Sequence, residues 1–213
     1  MELVVAWGWA CAVVGSLLSV PQVIRLLVGR TSAGVSLLLW QLMFGAGLGW
    51  TFHGITVGHL NLIVPNAMNT VLSALVLVMV ARDRHLPAGR VWPLGLAVAA
   101  ALVAVELIGG AAAFGVAVIA PFLVGLGGQT RDLLRAPDLS GLSPLYVIGT
   151  LVVQLMWWSW ALWVGEVSTL ICSSVVGLAA ALNVALWLGR TRGVLRVVGV
   201  GTPTAHAGVA EAA

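Results

Sequence analysis

Seven long apolar runs constrain this chain more than any other feature of its sequence. Each run has about 20 residues, which at 1.5 Å per residue is enough to cross a hydrocarbon core of roughly 30 Å. Only 8% of the 213 residues are charged, whereas a soluble domain has about a quarter. Such a chain cannot cover a water-facing surface, so we expect an all-α membrane protein. The predicted spans are 3–24, 35–57, 60–81, 91–110, 112–134, 142–164 and 169–188.

The arginines set the number and the direction of these spans. The chain has ten arginines and no lysine, and with seven spans all ten lie on one side of the membrane. The positive-inside rule makes that side cytoplasmic, so the N-terminus is predicted outside and the C-terminus inside. Without the fourth span, the last five arginines would lie opposite the first five. The arginine-only basic set and the abundance of Ala, Gly and Val favour a bacterial cytoplasmic membrane.

The chain also repeats itself at an offset of 107 residues. At this offset Gln22 aligns with Gln129 and Trp50 with Trp157, and no gap is needed over about fifty residues. Each repeat holds three spans, an odd number, so one extra helix is needed to give both repeats the same orientation. We therefore predict a 3+1+3 fold, in which two parallel three-helix bundles are related by a pseudo-two-fold axis along the membrane normal.

The repeat divides the chain into four predicted parts. Residues 1–82 form the first three-helix repeat, and residues 83–111 carry the linker helix. Residues 112–190 form the second repeat. Residues 191–213 are predicted to be a disordered cytoplasmic tail, because small residues without apolar periodicity cannot build a core.

The first repeat carries several recognisable elements: Ser-Val-Pro-Gln at 19–22, Gly-Arg-Thr-Ser-Ala-Gly-Val-Ser at 29–36, Trp50, and Pro65 followed by Asn66. Together they resemble the PQ-loop superfamily, and specifically its SWEET and SemiSWEET sugar transporters. The resemblance covers residues 5–80 and 115–188. In the second repeat the Pro-Gln pair becomes Gly128 and Gln129, and the asparagine becomes Ser173. The resemblance implies facilitative transport of a small sugar.

In each repeat, a glycine lies between the second and third helices. A tryptophan lies eight positions before this glycine, and a polar residue lies eight positions after it. All four side chains should therefore lie at one depth, roughly 12 Å below the turns. An indole face offers an apolar platform for a sugar ring, and amides or hydroxyls hydrogen-bond its hydroxyl groups. The predicted substrate-binding residues, which are also those that the family resemblance implies, are Trp50, Asn66, Trp157 and Ser173.

Two further residues lie one helical turn from these positions. His53 follows Trp50, where it could line the pathway, sense protons or pack structurally. Asn69 follows Asn66, where it could extend the site or tie helices together.

The ends of the first helix of each repeat are predicted hinges. Pro21 removes a helical hydrogen bond, and Gly128 bends through backbone freedom. The resemblance implies a hinge and gate role for the Pro-Gln pair, which assigns Pro21, Gln22, Gly128 and Gln129 to this role.

An ion-driven carrier needs a charged or titratable group along its pathway. Only His53 and Glu106 lie clearly within spans, and Glu106 belongs to the linker helix outside the repeats. We interpret Glu106 as peripheral, and the absence of a paired acid therefore favours uniport.

Two alternatives remain open. One is a PQ-loop carrier of an amino acid or another metabolite with proton coupling, and the other is a receptor or scaffold that binds a ligand without passing it. An enzyme is not expected, because no motif for nucleophilic, metal or phosphate chemistry occurs. We expect no cofactor, no metal and no nucleic-acid partner. The expected partners are the sugar and the lipid bilayer, and a homo-oligomer is optional because one chain holds both repeats.

Overall fold

Helices make up nearly all of the regular structure in the computed structural model. It describes residues 2–29, 32, 35–136, 139 and 142–195, without the side chains of residues 19–23 and 25–29. Most of the predicted tail lies outside the described residues. The helices are α1 (Glu2–Gly29), α2 (Leu37–Val57), α3 (Leu60–Asp83), the short α4 (Ala88–Val91), α5 (Pro93–Ala117), α6 (Ile119–Arg135), α7 (Pro144–Val164) and α8 (Val167–Thr191).

The fourth and fifth spans meet inside α5. Gly110 has φ 71° and ψ −172°, a backbone conformation that interrupts the helix and that glycine adopts readily. On a straight helix Leu102 and Phe114 would lie about 18 Å apart, yet both approach within 3.4 Å of where a Cβ on Gly49 would stand. The chain therefore reverses at Gly110, the boundary that the apolar runs predict. The linker helix occupies the first part of α5, and the fifth span continues from there through α6.

The helix ends are built alike in the two repeats. Ser36 and Ser143 each accept a hydrogen bond from a backbone N–H in the first turn of the helix that follows, α2 or α7. Gly58 and Gly165 close the same helices with φ 73° and 72°, the left-handed conformation that favours glycine at a helix end. We call the end of the bundle that holds these two glycines the turn end.

The opposite end, which we call the arginine end, is held by arginines of the third helices. Arg84 donates to the carbonyl oxygens of Ser32 and Val35 in the α1–α2 connection. Arg190 donates to the carbonyl oxygens of Leu133 and Ala136 near the end of α6. Arg190 thus satisfies backbone acceptors that the end of α6 leaves without partners, and Arg84 ties the α1–α2 connection to the end of α3.

Packing between helices follows the offset of the repeat. Within the repeats, α3 packs against both α1 and α2, and α8 packs against both α6 and α7. Between the repeats, α1 packs against α7, and the corresponding pair, α2 and α6, is also in contact. The linker part of α5 packs along α2, and the part of α5 after Gly110 packs against the start of α8. The predicted all-α membrane fold with two parallel bundles is confirmed, whereas the exact repeat boundaries stay a prediction.

The outer surface of the bundle is apolar, as a lipid-facing surface requires. Leu3, Ile55, Met68, Ile108 and Leu178 are among many large apolar side chains that are more than half or about half exposed. Among the described residues, four helical stretches are long and apolar enough to cross a membrane: Leu60–Asp83, Pro93–Arg135, Pro144–Val164 and Val167–Thr191. The second of these contains the reversal at Gly110 and therefore two spans.

Small residues bring α2 and the linker helix together. A Cβ on Gly45 would stand 2.6 Å from the carbonyl oxygen of Gly95, so the two backbones are nearly in contact. One turn earlier, Gln41 donates from Nε2 to the carbonyl oxygens of Arg90 and Val91, each at 2.8 Å. The linker helix is thereby fixed on the first repeat and carries its own residues to a defined place in the bundle.

Candidate functional site

The two predicted tryptophans lie where one repeat meets the first helix of the other. Trp50 is only 7% exposed and packs edge-on against Phe114, with ring centroids 5.1 Å apart. Phe114 follows the reversal at Gly110 and belongs to the second repeat. Trp157 is half-buried, and Gly15 of α1 lies beside it, because a Cβ there would stand 3.8 Å from its Nε1. The predicted symmetry of the two tryptophans extends to their surroundings.

The two predicted polar residues make the same hydrogen bond in the two repeats. Asn66 donates from Nδ2 to the carbonyl oxygen of Leu62 at 2.8 Å, and Ser173 donates from Oγ to that of Thr169 at 2.6 Å. Asn66 is half-buried, whereas Ser173 is buried. Asn66 also keeps its amide oxygen and one N–H without a protein partner among the described residues. Asn66 can therefore offer a donor and an acceptor to a solute, while Ser173 has already committed its only hydrogen.

The tryptophan and the asparagine of the first repeat lie at one level of the helix pair. Gly47, three residues before Trp50, packs on α3 so closely that a Cβ there would stand 3.3 Å from the carbonyl oxygen of Asn66. Asn69 is half-buried one turn further along α3. This placement agrees with the common depth expected from the spacing about Gly58.

The predicted hinges are described only in part. Helix α1 continues through positions 21 and 22, but the side chains of Pro21 and Gln22 lie outside the described residues. Helix α6 runs through Gly128 without interruption. Gln129 accepts from Nδ2 of Asn183 at 3.0 Å, in a buried network that ties α6 to α8. The hinge role of all four residues stays a prediction.

His53 is the centre of a buried charged cluster that joins three parts of the chain. Its side chain has no exposed surface. Its Nδ1 lies 3.0 Å from Oε1 of Glu106 on the linker helix, and its Nε2 lies 3.1 Å from Oε1 of Glu166 at the α7–α8 turn. The two carboxylates are 9% and 5% exposed. We call these three residues the His–Glu cluster.

Glu166 is held in place by the helix that it caps. It is the N-cap of α8 and accepts from the backbone N–H groups of Ser168 and Thr169 at 2.9 and 2.6 Å. Burial raises the pKa of Glu166, but the hydrogen bonds from His53 and Thr169 outweigh it and lower the pKa to about 2. Glu166 is therefore the carboxylate of the cluster that stays ionised.

Glu106 is less completely satisfied. Its Oε1 accepts from the hydroxyl of Thr56 at 3.1 Å in addition to its contact with His53. Its Oε2 is buried and has no hydrogen-bond partner among the described residues. A buried carboxylate oxygen without a hydrogen-bond partner costs free energy, so the protein satisfies Glu106 less fully than it satisfies Glu166.

Aromatic rings connect the cluster to the candidate substrate position. Phe114 stacks on the imidazole of His53, with centroids 4.7 Å apart and an interplanar angle of 11°. Trp50 meets the same imidazole edge-on at 5.6 Å. A change in the position or charge of His53 would therefore directly alter the packing of Trp50.

The interpretation of Glu106 as peripheral is wrong, and so is the expectation that no paired acid lies within the spans. The linker helix packs along α2 and brings Glu106 to His53, although the two are 53 residues apart in sequence. Glu166 and Phe114 did not emerge from the sequence at all. The sequence held only weak signals of this cluster. Glu106 is a lone acid within a span, and Glu166 directly follows the turn glycine, at the position that matches His59 in the first repeat.

The second repeat shows what occupies the place that corresponds to the His–Glu cluster. At the offset of the repeat, Trp160 matches His53 and His59 matches Glu166. Trp160 and His59 are indeed in contact, edge-on at 5.1 Å. The two repeats meet along two seams, the contact of α1 with α7 and the contact of α2 with α6. At the turn end one seam is closed by a charged contact and the other by an aromatic contact.

Comparison with known proteins supports the fold. No protein-family model matches this sequence, and no curated protein matches it. The structure is similar to that of a eukaryotic SWEET transporter determined at 3.7 Å resolution, with a TM-score of 0.67 and 13% sequence identity. The match covers 89% of this chain and 99% of the other. The two chains share a fold.

Proposed function

We propose that this chain carries a small sugar across the membrane by alternating access, as a uniporter. The solute would bind at mid-membrane depth between the two repeats, against Trp50, Asn66, Trp157 and Ser173. The observation that carries the proposal is the paired placement of the tryptophans, each beside the first helix of the other repeat, with a polar residue on the adjoining helix. The SWEET fold and the sequence resemblance support a sugar as the substrate class.

The chemistry of the site fits a neutral polyhydroxy solute. Asn66 keeps a donor and an acceptor available, and the indoles supply apolar faces for the C–H side of a ring. Among the described residues, no unpaired charge lies at this level that would select an ionic substrate. The charges nearest to Trp50 are paired within the His–Glu cluster.

Net uptake into proteoliposomes tests this function. Purified protein is reconstituted without any ion gradient, and entry of radiolabelled glucose and sucrose is measured. We expect saturable uptake of at least one sugar, and a loss of about tenfold or more in Trp50→Ala, which corresponds to roughly 1.4 kcal/mol of binding. Trp9→Ala is the matched control, because Trp9 is exposed near the start of α1 and its removal should leave uptake unchanged.

The outcomes separate the alternatives. Binding of sugar without uptake would indicate a receptor or scaffold. Accumulation above equilibrium under an imposed pH gradient would contradict uniport and favour a proton-coupled carrier. Absence of both binding and uptake in folded protein would exclude these sugars as substrates.

We also propose that the turn end faces outward and the arginine end faces a bacterial cytoplasm. The positions of the arginines support this orientation. Leu60→Cys, at an exposed position of the turn end, should react with a membrane-impermeant maleimide in intact cells once Cys11 and Cys172 are replaced by alanine. Reaction only after the membrane is opened would reverse the orientation.

A further inference from the structure

We propose that the His–Glu cluster is a proton-binding site, and that its proton-bound form latches the turn end closed. The inference goes beyond the proposed transport. It rests on that transport only in supposing that the two repeats separate at the turn end during the cycle.

The cluster bridges the parts that must separate for this end to open. His53 belongs to α2 of the first repeat, Glu106 to the linker helix that is fixed on α2, and Glu166 to the turn of the second repeat. The Ser168 hydroxyl beside Glu166 also donates to the carbonyl oxygen of Ala111, next to the reversal at Gly110. Movement of the α7–α8 turn away from α2 would break the contact between Nε2 of His53 and Glu166.

Counting hydrogens shows why the closed form needs a proton. An ionised carboxylate only accepts hydrogen bonds, and a neutral imidazole has a single N–H. Both ring nitrogens of His53 face a carboxylate oxygen, so two hydrogens are needed to make both contacts. They are present in an imidazolium between two carboxylates, or in a neutral imidazole beside one carboxylic acid, and the net charge is −1 in either case.

Loss of one of these protons would leave two carboxylates around a neutral imidazole, with a net charge of −2 in a buried site. One contact would lack a hydrogen, and the two negative charges would repel each other in surroundings of low dielectric constant. The buried Oε2 of Glu106 has no partner among the described residues to relieve this charge. Opening would let water solvate the carboxylates, so deprotonation favours the open turn end.

The groups around His53 leave no other charged partner for it within the described residues. The linker helix contributes Glu106, and the α7–α8 turn contributes Glu166. Helix α8 adds the thiol of Cys172 in the neighbouring apolar cluster. Helix α3 presents its N-cap residue His59 to Trp160 instead. The charged residues of α3 and α6 lie at the arginine end.

The position of the cluster favours a latch over a proton carrier. His53 lies five residues from Gly58, about 7 Å along the helix, and Glu106 lies four residues from Gly110. The proton site is therefore close to one end of the bundle, so a proton can enter and leave from that end without crossing the membrane.

The latch predicts the direction of the pH response. Because the closed form holds the proton more tightly than the open form, the closed form is favoured at low pH and lost as pH rises. Linkage to one proton changes the ratio of closed to open molecules by at most about tenfold per pH unit.

Distance measurements between two spin labels test this without any solute, so that a failure of the latch and a failure of transport are distinguishable. Leu60→Cys and Val167→Cys place the labels at exposed positions that correspond in the two repeats, at the starts of α3 and α8. Cys11→Ala and Cys172→Ala remove the other thiols, which also excludes titration of Cys172 as a cause. Pulsed electron paramagnetic resonance in lipid nanodiscs then gives the distance distribution between about pH 5 and about pH 9, the range in which histidine and perturbed carboxyl groups titrate.

We expect a short distance at low pH and a growing population at a longer distance as pH rises. Glu106→Gln should stay at the short distance throughout, because an amide can donate to Nδ1 while the single N–H of neutral His53 serves Glu166. The double variant His53→Gln with Glu106→Ala holds neither group that can bind the proton, so it should show no pH response, whatever its closed fraction, and it supplies the test if Glu106→Gln does not fold. His85→Asn, at an exposed position after α3 at the arginine end, is the matched control and should respond as the parent does. An unchanged distribution at all pH values in the parent, or a parental response in Glu106→Gln or in the double variant, would overturn the latch.

Discussion

Asn66 and Ser173 show how the same backbone hydrogen bond leaves different side chains with different remaining capacity to bind a solute. Each bonds to the carbonyl oxygen four residues before it, which keeps a polar side chain satisfied on a membrane helix. A hydroxyl is used up by that bond, whereas an amide retains an oxygen and an N–H. The sequence predicted both positions, because the spacing about the turn glycine fixes their depth, but it could not predict this difference in remaining capacity.

Asn66→Ser separates the structural role of this residue from its proposed role in binding the sugar. Serine can make the same bond to Leu62 as Ser173 makes to Thr169, so the variant should fold like the parent. It removes the spare amide groups, and we expect sugar uptake in proteoliposomes to fall by about tenfold, roughly 1.4 kcal/mol of binding. Uptake equal to that of the parent would mean that Asn66 only makes its hydrogen bond within α3 and does not bind the sugar.

The elements themselves were largely predictable. Hydropathy located the spans, a glycine was expected between the second and third helices of each repeat, and the apolar runs divided the fourth span from the fifth at Gly110. The His–Glu cluster was not predictable, because its members are 53 and 113 residues apart and meet only through the way the linker helix packs on α2. Local sequence patterns carry no information about such contacts, so the sequence alone could not pair Glu106 with His53.

Gly58→Ala tests whether the left-handed turn residues set the α2–α3 connection. A Cβ at Gly58 would meet nothing within 4 Å, so the only cost is backbone strain at φ 73°, about 1 kcal/mol. We expect a lower thermal unfolding midpoint in detergent. Gly127→Ala is the control, because that Cβ is equally unhindered but lies within helix α6, where alanine is favoured. Equal midpoints for the two variants would contradict this account of the turn.

At the scale of the whole molecule, two similar bundles meet along two seams. The α1–α7 seam and the α2–α6 seam correspond under the repeat, yet at the turn end one is closed by Trp160 and His59 and the other by His53 and Glu166. The similarity supports a shared pathway between the bundles, and the difference makes one seam sensitive to protons. Alternating access requires these seams to open at one end while the other end stays closed.

Counterflow of a radiolabelled sugar measures this property most directly. Proteoliposomes are loaded with unlabelled sugar and diluted into a trace of the labelled sugar, with no ion gradient. Exchange through a site that is open to one side at a time predicts transient accumulation of label above its outside concentration, strongly reduced in Asn66→Ser. Label that enters without exceeding the outside concentration, or that fails to enter folded protein, would contradict the proposal that this chain is an alternating-access sugar carrier.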